Sequence, residues 1–293
     1  MFMREHAKQW PIEEMAKLFD VSRSGYYQFI NAKPSKRAQE NERLLAKIKT
    51  IHKESRQTYG SPRIHAELIE NGDICSKKRV SKIMQQGGIV AKMKKRFKVT
   101  TRANPDAIPA PNLLQQNFTA DKPNQRWVAD FTYVSTQEGW LYVATVLDLF
   151  SRRIIGLSMS DRMTTDLVTN ALQQALIHRK PPANLIHHSD RGSQYTSLAF
   201  RKILKQHNII ASMSGTGNCY DNATMESFYH TLKTEHVYFE FYKTRQEAKQ
   251  SIFEYIEVFY NRKRKHSTLG YYSPMLFENR WKQQSDVCIR SVH

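Results

Sequence analysis

His188-Ser189-Asp190-Arg191-Gly192-Ser193-Gln194-Tyr195 and Asp221-Asn222-Ala223-Thr224-Met225-Glu226-Ser227-Phe228 are the two passages on which the reading of this chain turns. Thirty-five residues separate Asp190 from Glu226. A third carboxylate, Asp130, stands sixty residues before Asp190 in Trp127-Val128-Ala129-Asp130-Phe131-Thr132-Tyr133. Asp130 sits among apolar neighbours, and strand alternation puts it on one face with Val128 and Thr132. A lone buried Asp is costly unless paired or bound to metal. Asp190 follows a short apolar strand, and Gly192 lets the backbone turn away at the strand end, where functional groups collect in mixed sheets. Glu226 falls on a helix and shares a face with Tyr229, His230 and Lys233. Three hard oxygen donors suit Mg²⁺ or Mn²⁺ and not zinc. Two such ions about 3.5–4 Å apart activate an attacking oxygen and stabilise the leaving oxygen of a phosphodiester. Taken singly, a carboxylate is more often a salt-bridge partner or cap than a metal ligand, and Asp221 followed by Asn222 fits a cap for the helix that carries Glu226. His188-Ser189-Asp190 is not a hydrolase triad, because triad members come from separate segments and no nucleophile elbow is present.

Outward from these motifs, residues 125–214 alternate between strand and helix patterns. Strands are expected over 126–135, 140–149 and 153–160, joined by short turns and therefore antiparallel. A helix over 164–179, a strand over 185–188, a helix over 197–207 and a strand over 209–214 complete an α/β, mixed five-stranded sheet flanked by helices. The helix carrying Glu226 and a further helix over 244–265 follow, the latter ending in the basic run Arg262-Lys263-Arg264-Lys265-His266. Arg264 and His266 are candidates for DNA contact.

Upstream, the pattern is helical. Residues 4–30 outline a helix-turn-helix, with Ile12, Met15, Ala16 and Phe19 on one face and Ser22 capping a second helix. Arg23 and Tyr26 on that helix are candidates for a DNA groove, although any small helical hairpin fits the same pattern. A longer helix with Leu44, Leu45, Ile48 and Ile51 inward precedes the turn Tyr59-Gly60-Ser61-Pro62. Pro62 opens a helix with Ile64, Leu68 and Ile69 inward. Ser76 caps a last helix through Val80, Ile83 and Met84. Lys77, Lys78, Arg79 and Lys82 crowd it, as a DNA-contacting or simply a solvated basic face. Lys94, Lys95 and Arg96 lie in a basic run leading into a Pro-containing stretch. The expected organisation is a helix-turn-helix unit over 1–32, a second helical unit over 33–98, a linker over 99–122, a core over 123–280 and a loose tail over 281–293.

Composition bounds the partners. The net charge is +18 with a pI near 9.8. Residues 1–120 hold 23 basic against 11 acidic side chains, so two thirds of the excess lies there. That imbalance points to a polyanion met first by the N-terminal part. No apolar run is long enough for a membrane span, and no signal core opens the chain. Three widely spaced cysteines fit reduced thiols in a cytoplasmic protein rather than a disulfide frame.

The motifs together resemble those of the OrfB-type DDE transposases of bacterial insertion sequences, relatives of retroviral integrases, over essentially the whole chain. Trp127 to Tyr133, His188 to Tyr195, and Asp221 to Phe228 with Lys233 are similar to the family's three acidic motifs, and the 35-residue interval fits. The closing His266-Ser267-Thr268-Leu269-Gly270-Tyr271 fits as well. Tyr59-Gly60-Ser61-Pro62-Arg63-Ile64 resembles the second helical DNA-binding unit, which adds Arg63 to the candidate DNA contacts; Arg191, Tyr195 and Lys233 join from the core. The resemblance implies a ribonuclease-H-like core in which Asp130, Asp190 and Glu226 bind two Mg²⁺ or Mn²⁺ ions. It implies 3′-end cleavage at terminal inverted repeats, strand transfer into target DNA, a homo-oligomer of at least two copies, and a cytoplasmic, nucleoid-associated protein. The zinc-bound His/Cys domain of retroviral integrases is absent, since Cys75 is the lone cysteine before Cys219. An upstream-frame fusion or partner stays open, as this sequence has no long heptad run. A non-cleaving regulator of the same repeats is the competing reading, with a general nuclease behind it.

Overall fold

The computed structural model describes residues 2–92, 110–215 and 219–290. Three short helices begin it: α1 (Phe2–Glu5), α2 (Ile12–Leu18) and α3 (Arg23–Asn31). The Ser22 hydroxyl caps α3 by accepting the Gly25 amide at 3.0 Å. This unit has the expected outline but almost no interior: Met15 and Ala16 are buried, while Phe19, Tyr27 and Phe29 face solvent.

The second unit is better built. α4 (Lys36–Glu54) is capped by Ser35 and buries Leu44, Ile48 and Ile51 at helical spacing. α5 (Ser61–Glu70) has Pro62 in its first turn and buries Ile64 and Leu68. Ile69, expected inward, is exposed, because it lies five residues from Ile64 and falls off that stripe. α6 (Lys77–Gln86) is capped by Ser76 and packs Val80, Ile83 and Met84 against the other two helices.

Of the expected linker over 99–122, residues 99–109 lie outside the described residues, and residues 110–122 run against the core. The Leu114 side chain is buried. Met213 donates its amide to Pro111 and Leu113 donates its own to the Ser212 hydroxyl, so the segment is laid along the sheet edge.

The sheet holds β1 (Arg126–Thr136), β2 (Gly139–Asp148) and β3 (Ile154–Ser160) as an antiparallel meander. Gly139 at φ +108° makes the first turn, a conformation that L side chains rarely adopt. α7 (Thr165–Arg179) crosses to β4 (Ile186–Ser189), parallel to β1; α8 (Ser193–Thr196) and α9 (Leu198–Gln206) lead to β5 (Ile210–Met213), parallel to β4. The strand order β3-β2-β1-β4-β5 is that of a ribonuclease-H-like sheet. Alternation along β1 sends Trp127 and Ala129 to the α7 and α9 face and Val128 to the opposite one. A Cβ on Gly156 would stand 2.1 Å from the Ala171 carbonyl oxygen, so α7 lies directly on β3.

α10 (Ala223–Glu235) and α11 (Arg245–Glu254) cover the Val128 face, burying Met225, Phe228, Leu232 and Ile252. α11 continues as a π-helical turn, Tyr255–Tyr260, and stops there rather than at 265. The Asn261 side chain ends it by bracketing the backbone of Ile154, donating to the carbonyl and accepting from the amide, both at 2.9 Å. α12 (Pro274–Arg290) replaces most of the expected tail. Its anchor is Glu278, fully buried, which accepts from Ser151, Arg153 and Arg179. Trp281 and Phe277 pack on Phe150.

These cations hold the Glu278 carboxyl below its ordinary pKa despite burial. Breaking a buried pair by deleting one partner typically costs about 3–5 kcal/mol. Glu278→Ala is expected to lower the urea-unfolding free energy by about 3 kcal/mol. Because the folded pKa is the lower one, the contribution is present above the ordinary Glu pKa of about 4.3 and fades as pH falls below it. Wild type and variant are expected to converge in stability in acid.

Candidate active site

The register of two parallel strands builds the site. Val128 pairs with His188 across β1 and β4, so Asp130 and Asp190, each two residues on, reach the same level of neighbouring strands. The Asp130 Oδ1 accepts its neighbour Phe131's amide at 2.8 Å. The Asp190 Oδ1 accepts the Gly192 amide at 2.9 Å. A Cβ on Gly192 would stand 3.0 Å from that same oxygen, so a residue without a side chain lets the turn close on the carboxylate. Burial, and then the Asp190 charge, push the Asp130 carboxyl well above its ordinary range; the Phe131 amide opposes this. Burial raises Asp190 as well.

Glu226 stands in the first turn of α10, exposed to solvent. Its charge reaches Asp130, and although the residue is open to solvent, partial desolvation of its carboxyl raises its own pKa. Among the described residues, no three His, Cys, Asp or Glu side chains stand together as a set able to hold one ion. The sheet therefore brings Asp130 and Asp190 together and leaves Glu226 at their margin. Tyr229, one turn along the helix face, fixes that margin. Its hydroxyl donates to the Asp130 carbonyl at 2.6 Å and lies 2.8 Å from the Thr145 hydroxyl. Lys233 lies over the Tyr133 ring at 5.0 Å; burial lowers its pKa and Asp130 raises it.

His188 is structural. Its Nδ1 meets the Ser212 hydroxyl at 2.8 Å and its Nε2 meets Ser214 at 3.3 Å. Burial pushes it down to about 4, so it is neutral at pH 7 and stitches β4 to β5. Asn222 holds the N-cap position of α10, and the Asp221 carboxylate accepts from Asn112, Gln116 and the Gly215 amide, fastening residues 112–116 beside the helix start.

Residues 120–219 and 226–281 match integrase core domain models, and residues 39–97 match an HTH-like domain model. An uncharacterized 31 kDa protein of insertion element IS600 from Shigella sonnei is 48% identical, covering 92% of this chain and 100% of that one. Transposase InsF for insertion sequence IS3A from Escherichia coli K12 is 42% identical, covering 96% and 98%. The chain belongs to the family of insertion-sequence transposases with an integrase core. The HTLV-2 integrase catalytic core domain in complex with magnesium (trimeric form) is 15% identical with a TM-score of 0.42, covering 54% of this chain and 99% of that one. That likeness is too loose to bear on the fold, which the strand order and the family match establish. Within the family frame, α4 to α6 are the HTH-like region, Asp130 and Asp190 fall in the first core segment, and Glu226 opens the second. α1 to α3 lie outside all three.

Several residues expected at DNA do other work. Tyr195 is buried beside Phe131 and edge-on to Phe200, so it is an interior side chain. Arg264 is buried and grips Glu235 with two nitrogens; Arg63 reaches the same carboxylate. His266 packs edge-on to Tyr260 beside the Arg264 guanidinium, and burial with that charge holds it well below the ordinary histidine pKa. Tyr195 and Arg264 are buried, while Arg63 and His266 keep part of their surface open. Arg79 is tied to Glu40 and Asn41, Arg23 to Glu13, and the Arg191 Nε to the Ser214 carbonyl. Tyr26 is half-buried against Tyr27. Lys77 and Lys78 are exposed on α6. Lys94, Lys95 and Arg96 lie outside the described residues. The sequence did flag Tyr229 as sharing the Glu226 face, but only the fold reveals its bond to Asp130; nothing in the sequence singles out Glu235.

An acid whose folded pKa is raised stabilises the fold below its ordinary pKa of about 3.9 and loses that contribution as pH rises through the folded value. At pH 7, where both carboxyls ionise freely in the unfolded chain, the raised folded-state pKa of Asp130 and of Asp190 thus opposes folding. Asp190→Asn in chelator is expected to raise the melting temperature, by roughly 2–4 °C for each kcal/mol relieved. Differential scanning calorimetry at pH 7 checks the sign.

Proposed function

We propose that this chain binds the terminal inverted repeats of its insertion sequence as a homo-oligomer, at least a dimer. On this reading it carries out Mg²⁺-dependent 3′-end cleavage and strand transfer with Asp130, Asp190 and Glu226. The carrying observation is the side-by-side setting of Asp130 and Asp190 on adjacent parallel strands, each anchored through one oxygen by an amide. Two like charges in a low-dielectric setting suit a hard divalent cation better than any monovalent partner. Asp130 and Asp190 would hold such ions, two Mg²⁺ or Mn²⁺, with Glu226 as the third carboxylate, and the ions would supply Lewis-acid activation and charge neutralisation at a phosphodiester.

The chain's own groups have separate tasks. Lys233, on the Glu226 helix and within the field of Asp130, offers positive charge to a phosphate at the cleft. Exposed Lys77, Lys78 and Lys82 on α6 offer phosphate contacts for the DNA end. Arg191, beside Asp190, is a further candidate. The described helices include none long and apolar enough to cross a membrane. An upstream-frame partner or fusion is compatible with this reading. The competing reading, a regulator that only occupies the repeats, gains nothing from a buried like-charge pair that costs stability.

Asp190→Asn is expected to retain affinity for labelled terminal-repeat duplex while losing nicking in Mg²⁺; full nicking by that variant would remove Asp190 from the mechanism. Lys233→Ala is expected to slow end-specific cleavage by about 10²-fold or more, the scale of a lost charge stabiliser, with little change in the Mg²⁺ concentration needed. Equal loss of metal affinity, read by calorimetric titration, would contradict its assignment to phosphate.

A further inference from the structure

α10 has two carboxylate ends. Glu226 opens it, and Glu235 closes it nine residues later, about 14 Å along the axis at 1.5 Å per residue. A carboxylate in the last turn opposes the helix dipole, and this one is buried. Cations make it tenable. Arg264 donates from Nε to Oε2 and from Nη2 to Oε1, both at 2.7 Å. Arg63, from the first turn of α5, donates to Oε1 at 3.3 Å, and the Tyr255 hydroxyl donates to Oε2 at 3.1 Å. Despite burial, these partners hold the Glu235 carboxyl below its ordinary pKa.

The two guanidiniums are unequal. Arg264 sits in the core with a two-pronged grip. Arg63 belongs to the HTH-like region, makes one longer contact, and is disfavoured by burial and by the Arg264 charge. Other bonds hold the helical unit to the core. The Tyr59 hydroxyl accepts the Lys265 amide at 2.7 Å and donates to the Lys263 carbonyl. Lys265 pairs with Glu67 and Glu70, and Arg56 pairs with Glu254 at 2.6 Å. All of these reach residues 254–265. Of this group, the Arg63 bond is the one made to α10 itself.

We propose that Glu235 and Arg63 are positioning residues for cleavage: through this bond the α4–α6 unit sets where α10, and with it Glu226, stands over Asp130 and Asp190. The inference rests on the proposed cleavage reaction. DNA held by the helical unit and the third carboxylate then share one frame. Tyr229 pins the middle of α10 to β1, and Arg63 fixes its far end against rotation about that pin.

The test uses the full chain as wild type, Arg63→Met and Arg63→Lys, with labelled duplex carrying the element's terminal repeat. Arg63→Met is expected to keep repeat affinity within about threefold while single-turnover cleavage in Mg²⁺ slows by about tenfold or more, the pattern of a misplaced reacting group. The cut is expected to spread to neighbouring phosphates. Arg63→Lys restores part of the rate, since an ammonium keeps the charge without the fork. Hydrogen exchange, read without DNA, is expected to speed up in α10 and not in α9. Wild-type rate and cut position in Arg63→Met would overturn the proposal, as would parallel loss of affinity, melting temperature and cleavage. If the wild-type chain itself does not cut, the cleavage reading fails; unchanged α10 exchange in Arg63→Met would sink the positioning claim independently.

Discussion

Two carboxylates side by side, one inside β1 and one just past the end of the parallel β4, are the constraint to which the rest of the molecule answers. The β1–β4 register sets Asp130 and Asp190 at one level, and burial strengthens their mutual repulsion. Local devices make the pair tolerable: an amide on one oxygen of each, the Lys233 ammonium within range, and a glycine where the chain folds back beside Asp190. α10 is then fastened at the pair itself, because Tyr229 donates to the backbone carbonyl of Asp130 rather than to a distant residue. Stability is given up locally for a concentrated negative charge, the usual signature of a site shaped by chemistry rather than by packing.

Much of this was legible in the chain. Alternation along residues 126–135 was enough to set Asp130 apart from its apolar neighbours, and the short strand before Asp190 announced a strand-end position. Both readings needed only local periodicity, and the sheet bears them out. The helical caps at Ser22 and Ser76 are equally local, and each serine caps its helix. The failures were non-local. Arg264 reads as a DNA contact from its basic run and Arg63 from the resemblance; a sequence displays charge but not the partner that neutralises it, and here that partner, Glu235, is remote from Arg63 along the chain. Tyr195 read as a contact because it neighbours a motif, yet an aromatic beside a motif is as readily its floor as its face. The polar run after Trp281 read as a tail because nothing before folding reveals that Glu278 is drawn into the core.

The two helical units differ in how they relate to the core, and the difference follows from burial. α4 to α6 bury a full apolar stripe and add a set of polar bonds to residues 254–265, so their orientation is tied to the core. α1 to α3 bury two apolar side chains, too few to order a unit by hydrophobic burial alone. The family's HTH-like match falls on the well-packed unit. Basic side chains on α6 are carried by a body whose position relative to Asp130 and Asp190 is fixed.

The knot at Glu278 also has a bearing on how the protein is made. Arg179 is separated from Glu278 by 99 residues, so at roughly 5–20 residues per second it waits about 5–20 s for its partner to be synthesised. Asp148 and Arg179 are available to one another long before that, and Ser151 and Arg153 stand ready beside them. The sheet is thus complete in sequence while its last polar anchor is still on the ribosome. Throughout that interval the nascent core carries a cluster of guanidiniums with too little negative charge, and closure comes with the final helix.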